Sequence, residues 1–173
     1  STTTAATIMN ARGDADMVVQ TLALKSGSTT ARTIDTPASV DWSTKNGWYV
    51  VLPDTGERVD VDPKLQLGTL VVASNVPTAD IGETCLAGGY AWLNILDVRT
   101  GSFVVNNQTN SGQLASSKIG NALAVGVNVV RLPNGKVIAI VTTSDNRHPV
   151  NEVSTASQNS TVKRVSWREL IRD

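Results

Sequence analysis

His148 is the chain's single histidine, and it sits in the run Ser144-Asp145-Asn146-Arg147-His148-Pro149. A hydroxyl, a carboxylate and an imidazole are the groups of nucleophilic hydrolysis. There the imidazole takes the hydroxyl proton and the carboxylate orients the imidazole. Rigid elements must hold those groups together in space. This run is polar and ends at a proline, so it is expected to be a solvent-exposed loop rather than a catalytic support. Zinc needs several His or Cys ligands, and the chain offers only His148 and Cys85. Calcium needs acidic side chains at alternate positions, then Gly and a distant Glu. Asp60 and Asp62 begin that pattern, but Lys64 stands where the third ligand belongs. Asp14 and Asp16 begin it too and then run into apolar residues. No metal or cofactor is therefore expected, and the carboxylates are assigned to the solvent side of strands. Arg12-Gly13-Asp14 is an integrin-recognition tripeptide in a polar stretch near a terminus, where exposure is common. It is the one candidate contact for adhesion.

The elements that must position such groups follow from composition and pattern. The 173 residues suffice for one domain with a real core. Fifteen basic and fifteen acidic residues cancel, which gives no reason to expect nucleic acid or an anionic membrane as partner. Only 17% of residues are charged, and Ser, Thr, Asn, Val and Gly dominate instead. That profile fits an exposed all-β protein. No apolar run reaches the roughly 18 residues of a membrane span. The opening Ser1–Asn10 lacks the basic-then-apolar pattern of a signal peptide. Cys85 has no partner for an internal disulfide; it is either a small buried apolar side chain or half of a pair completed outside this chain.

Strand signals recur along the chain. Met17–Leu24 is the first, with Arg32–Asp35 as its return. Gly47–Leu52 followed by Pro53-Asp54-Thr55-Gly56 predicts a hairpin whose return strand is Arg58–Val61. Gly68–Pro77 is a strong strand, and Thr78–Gly89 is a loop. Tyr90–Val98 and Ser102–Asn106 flank a short turn with Gly101 where positive φ is needed. Asn106–Asn121, small and polar, is expected to be a long loop. Val125–Leu132 and Lys136–Thr143 flank Pro133-Asn134-Gly135, the clearest hairpin signal. Ser144–Ser160 is expected to be another polar loop, and Thr161–Trp167 a last strand. Glu169 lies in a stretch that could form one helical turn. Trp42, Trp48, Trp92 and Trp167 lie in or beside strands, where core anchors are the commoner use of tryptophan. About ten short strands joined by hairpins mean a sandwich, a barrel or propeller blades of about four strands each.

Several short motifs appear in a fixed order: Gly47-Trp48-Tyr49, Gly56-Glu57-Arg58, Asp62-Pro63, Cys85, Gly88-Gly89 with Tyr90 and Trp92, Asp97 with Gly101, and the tail Arg164-Val165-Ser166-Trp167-Arg168-Glu169-Leu170. From about Val19 to Leu170 this order resembles the C-terminal region of the PilY family, the type IV pilus tip-associated biogenesis factors and adhesins called PilC in Neisseria. The resemblance implies the last blades of a modified quinoprotein-like β-propeller. It implies that residues 1–173 form a single all-β domain, the C-terminal part of a larger pilus-tip protein. It also implies an extracellular place at the pilus tip or outer surface and no catalysis. Its roles would be pilus assembly, control of retraction and adhesion to surfaces or host cells. Implied partners are minor pilins, the rest of the parent chain and a host-cell receptor. The family's calcium loop finds no match here, and Cys85 matches the family's cysteine without its usual partner.

Within the propeller picture, Trp48, Val50 and Leu52 share one strand face and Tyr49 and Val51 the other. Both faces would then lie between packed blades, and Glu57–Pro63 would be the wet outer strand. Uncovered blade faces would be met by self-association, by the missing parent or by rearrangement into a self-contained barrel or sandwich. Two other readings stand beside the pilus module: a carbohydrate-binding β-sandwich using exposed tryptophan, and a hydrolase using His148.

Overall fold

The structure, a computed structural model, describes residues 15–78, 88–105 and 113–156. The described residues form eleven strands and no helix. β1 (Met17–Thr21) and β2 (Ala23–Leu24) divide the first apolar run at the buried Leu22. β3 is Ala31–Thr33, β4 is Gly47–Val51 and β5 is Lys64–Gln66. β6 (Thr69–Pro77) and β7 (Gly89–Asp97) are the longest strands. β8 (Leu114–Gly120), β9 (Ala124–Arg131), β10 (Val137–Thr143) and β11 (Val150–Val153) follow.

Three sheets result. The largest has the order β2-β3-β8-β7-β6-β5, the second is the meander β11-β10-β9, and the third is the pair β1-β4. All pairings in the first two are antiparallel. The sheets do not close into a barrel among the described residues.

One face of the central sheet carries Val71 and Ala73 from β6 and Ala91 and Leu93 from β7. They pack against Val127, Val137, Ala139, Val141 and Val153 of the meander. The alternation of Val137, Ala139 and Val141, all at most 1% exposed, is the period of two expected of a half-buried strand. Side chains tie the two layers at both ends. Asn75 accepts from the Ala124 amide at 2.7 Å and donates to its carbonyl at 2.9 Å. Thr69 Oγ1 donates to the Ser154 carbonyl at 3.3 Å and accepts from the Ala156 amide at 2.9 Å. A second core lies against Leu96: Trp48, Val50 and Leu52 of the β4 segment pack there with Leu22, Ile34 and Phe103.

The predicted turn at Asn134-Gly135 joins β9 to β10, with Gly135 at φ 86° and Leu132 bonded to Lys136. Gly101, at φ 69°, closes the Asp97–Ser102 turn. Expectations for the Gly47–Pro63 segment give way at three points. Gly47–Leu52 is no hairpin arm: β4 runs parallel to β1, from Met17↔Gly47 to Thr21↔Val51. After the turn only Arg58 bridges a neighbour, Asn75. The ribbon's other face is not covered, with Val19 45% and Val51 39% exposed.

Asn106–Asn121 is not a loop throughout, because Leu114–Gly120 is a strand between β3 and β7. Its Ala115 and Ser116 are buried there, and a run of small polar residues carries no hydrophobic periodicity to reveal a strand. Ser144–Ser160 likewise contains β11. Thr143 binds Arg147, Asn146 takes φ 61°, and the chain returns along β10. Trp42 is 57% exposed and is therefore no core anchor, whereas Trp92 is 3% exposed. Thr161–Trp167 lies outside the described residues.

Candidate functional site

Among the described residues, a dense polar network surrounds Arg32, on the central-sheet face opposite the meander. Arg32 has a fully buried side chain. Its Nη1 meets Glu57 Oε1 at 2.9 Å and its Nη2 meets Glu57 Oε2 at 3.0 Å, a two-pronged pair. Nη2 also lies 2.6 Å from Asp54 Oδ2. The guanidinium stacks on Trp92, with Cζ 3.7 Å from the ring centroid.

The carboxylates come from the turn after β4, where Glu57 donates its amide to the Asp54 carbonyl at 3.1 Å and Gly56 takes φ 77°. Asp54 Oδ2 accepts from Tyr90 Oη at 2.9 Å and from Trp92 Nε1 at 3.0 Å. Glu57 Oε1 accepts from Ser74 Oγ at 2.5 Å, and Ser74 Oγ accepts from Asn94 Nδ2 at 3.0 Å. Burial raises the Tyr90 phenol above its ordinary value, and its bond to the Asp54 carboxylate adds to that. Lys118 Nζ sits over the Tyr90 ring at 4.1 Å. The arrangement latches the Asp54–Glu57 turn to the sheet. With the Arg32 and Glu57 side chains fully buried, neither offers a surface to a ligand.

A second pair of motifs meets beside it. The Trp48 indole lies against Gly101, where an added Cβ would overlap the ring, and Trp48 Nε1 donates to the Val98 carbonyl at 2.9 Å. Asp97 holds that turn by accepting from the Arg99 amide at 2.9 Å and from Arg99 Nη2 at 2.9 Å. Partial burial raises the Asp97 carboxyl, but the Arg99 hydrogen bonds outweigh it and hold the group below its ordinary value.

The remaining motif residues fall as follows. Tyr49 is half-buried on the outer side of the ribbon, and Gly47 is buried beside Met17. Arg58 exchanges backbone bonds with Asn75. The Gly88 carbonyl accepts from the Thr78 amide. Gly89, at φ 147°, packs against Val76 and Leu123 with no space for a Cβ. Arg12, Gly13, Asp14, Cys85, Arg164, Ser166, Trp167, Arg168, Glu169 and Leu170 lie outside the described residues.

An open cleft of 390 Å³ lies where the β8–β9 and β10–β11 connections meet, lined by Asn121, Thr143, Asp145, Arg147 and His148 among others. Among the described residues no hydrogen bond joins His148 to Ser144 or Asp145. Ser144 Oγ instead accepts from the Leu123 amide at 3.2 Å. Asp145 accepts from Thr143 Oγ1 at 2.5 Å and pairs with Arg147 at 3.3 Å. The Thr143 hydroxyl is the main reason that its carboxyl lies below the ordinary value. Asp60 Oδ1 accepts from Asn75 Nδ2 at 2.6 Å. No group of three or more His, Cys, Asp or Glu is placed to hold a metal among the described residues.

Sequence reasoning singled out Glu57 and Trp92 but missed Arg32, Asp54, Ser74, Tyr90 and Asn94 as their partners. The available signal was two carboxylates three positions apart in one turn, which need a buried cation if they fold inward.

The chain is 31% identical over 94 residues to the type IV pilus biogenesis factor PilY1 homolog of Xylella fastidiosa. The match takes in 51% of this chain and 6% of that protein's length. No family model and no solved structure matches. The chain is thus similar to one short stretch of a pilus biogenesis factor.

Proposed function

We propose that this chain is a non-catalytic module of a type IV pilus biogenesis protein, placed at the pilus tip or outer surface. It supports pilus assembly, control of retraction and adhesion, with minor pilins and the rest of a longer parent chain as partners. The observation that carries this reading is the 31% identity to a pilus biogenesis factor. The mutual packing of the ordered motifs supports it: the Gly-Trp-Tyr strand seats on the turn at Gly101, and the Gly-Glu-Arg turn seats on Trp92 through Arg32. Placement as the last blades of a β-propeller is supported by the β9-β10-β11 meander, a blade-like run of consecutive antiparallel strands. Val19, Val51, Val130 and Val150 are more than a third exposed. They are surfaces for neighbouring parts of a parent or for another copy.

The test is genetic. In the bacterium that encodes the protein, in-frame removal of residues 17–156 is expected to lower the number of surface pili and surface motility, while His148→Ala leaves both unchanged. Normal piliation after removal would overturn the pilus reading. Loss of piliation from a folded, normally exported His148→Ala protein would overturn the non-catalytic one.

A further inference from the structure

The network around Arg32 is an open ring. Starting at Arg32, it passes to Glu57, then to Ser74 Oγ, then to Asn94 Nδ2. At its open ends stand two buried polar atoms without a protein partner, Arg32 Nε and Asn94 Oδ1. A third such atom, Ser116 Oγ, belongs to the strand between them. The register places these residues in one row: Arg32 is directly opposite Ser116, and Ser116 is directly opposite Asn94. Directly opposed residues on antiparallel strands project to the same face. Three orphaned polar atoms therefore belong to neighbouring residues on one face of β3, β8 and β7, and all three are buried.

We propose that Arg32, Asn94 and Ser116 hold one internal water molecule that closes this ring. The chemistry of the three atoms selects the occupant. Arg32 Nε–H is a donor only, on a cation, and repels a metal ion. Asn94 Oδ1 is an acceptor only and is unfavourable for an anion. Ser116 Oγ can do either. A small neutral molecule that both donates and accepts satisfies all three. Water accepts from Arg32 Nε and donates to Asn94 Oδ1 and Ser116 Oγ, about the three bonds typical of buried water. Leaving these atoms unmade would be costly, since each buried orphan carries its full desolvation penalty. The site joins the Asp54–Glu57 turn, through Arg32, to the two inner strands β8 and β7, so the water belongs to the latch.

Two measurements on the full chain test this. In a high-resolution crystal structure, density for a water is expected within hydrogen-bonding reach of both Arg32 Nε and Asn94 Oδ1. In solution, the Arg32 Nε proton is expected to show a nuclear Overhauser contact to a long-lived water and slow exchange with solvent. A direct Arg32 Nε to Asn94 Oδ1 bond, or density that refines as an ion, overturns the proposal. So does an Nε proton that exchanges as fast as those of surface arginines.

Discussion

Arg32 joins two effects that are usually separate. Its edge binds carboxylates, and its flat face rests on Trp92. A planar guanidinium can do both at once; a lysine ammonium cannot present two parallel donors. The Glu57 side chain is fully buried while Asp54 keeps 29% of its side chain exposed, so loss of the cation falls hardest on Glu57. Arg32→Met is expected to destabilise the fold by about 3–5 kcal/mol, because an uncompensated buried carboxylate remains. Combining it with Glu57→Gln should cost less than the two single changes added together, since the double variant no longer buries a lone charge. Urea unfolding of the four proteins checks this, and strict additivity would show that the pair is not coupled. At this scale the sequence was only partly readable. Glu57 and Trp92 stood out by motif, but Arg32 and Ser74 lie in ordinary strand sequence. Their role depends on strands β3 and β6, which are not adjacent in the sheet.

At the scale of elements, Asn75 holds one end of the joint between the central sheet and the meander. Its amide serves both the N–H and the C=O of Ala124 and also reaches Asp60. Asn75→Ala leaves the buried Ala124 groups unpaired at the first residue of β9. The expected cost is about 1–3 kcal/mol. Hydrogen exchange of the Ala124 amide should quicken more than that of the inner-face Ala139 amide on β10. Equal change at both would mean that Asn75 supports the whole fold evenly rather than this joint. Local signals were sufficient where the turn itself dictated the pairing, as at Asn134-Gly135. They failed for β4, because a parallel partner such as β1 is set by a distant contact and leaves no mark in the turn that follows.

At the scale of the whole molecule, two groups set opposite limits on pH stability. Asp97 is held below its ordinary value of 3.8, as the Arg99 bonds outweigh partial burial. A depressed carboxyl contributes stability above the unfolded value, and that contribution is lost as pH falls through its lower folded value. Tyr90 is raised above 10.0 by burial and by Asp54. Its contribution is complete below 10.0 and is lost as pH rises toward the folded value. The contributions of these two groups should therefore be constant between those limits and shrink outside them. Tyr90→Phe should be less stable than the native chain at neutral pH, where it loses the bond to Asp54. That difference should narrow above pH 10.0. A difference that stays constant through the alkaline range would remove Tyr90 from the account.

The sequence by itself determined the all-β class, the Asn134-Gly135 and Gly101 turns and the alternating core strands β6 and β10. Each of these depends on neighbours a few positions apart, through backbone sterics or the period of two. Tertiary structure alone decided that β8 is a strand and that β4 pairs with β1. It also turned Glu57 inward instead of leaving it on a wet edge. These outcomes depend on what lies across the sheet. A polar side chain is stable inside when a partner of opposite character arrives from a distant segment, and only the folded chain brings Arg32 to Glu57.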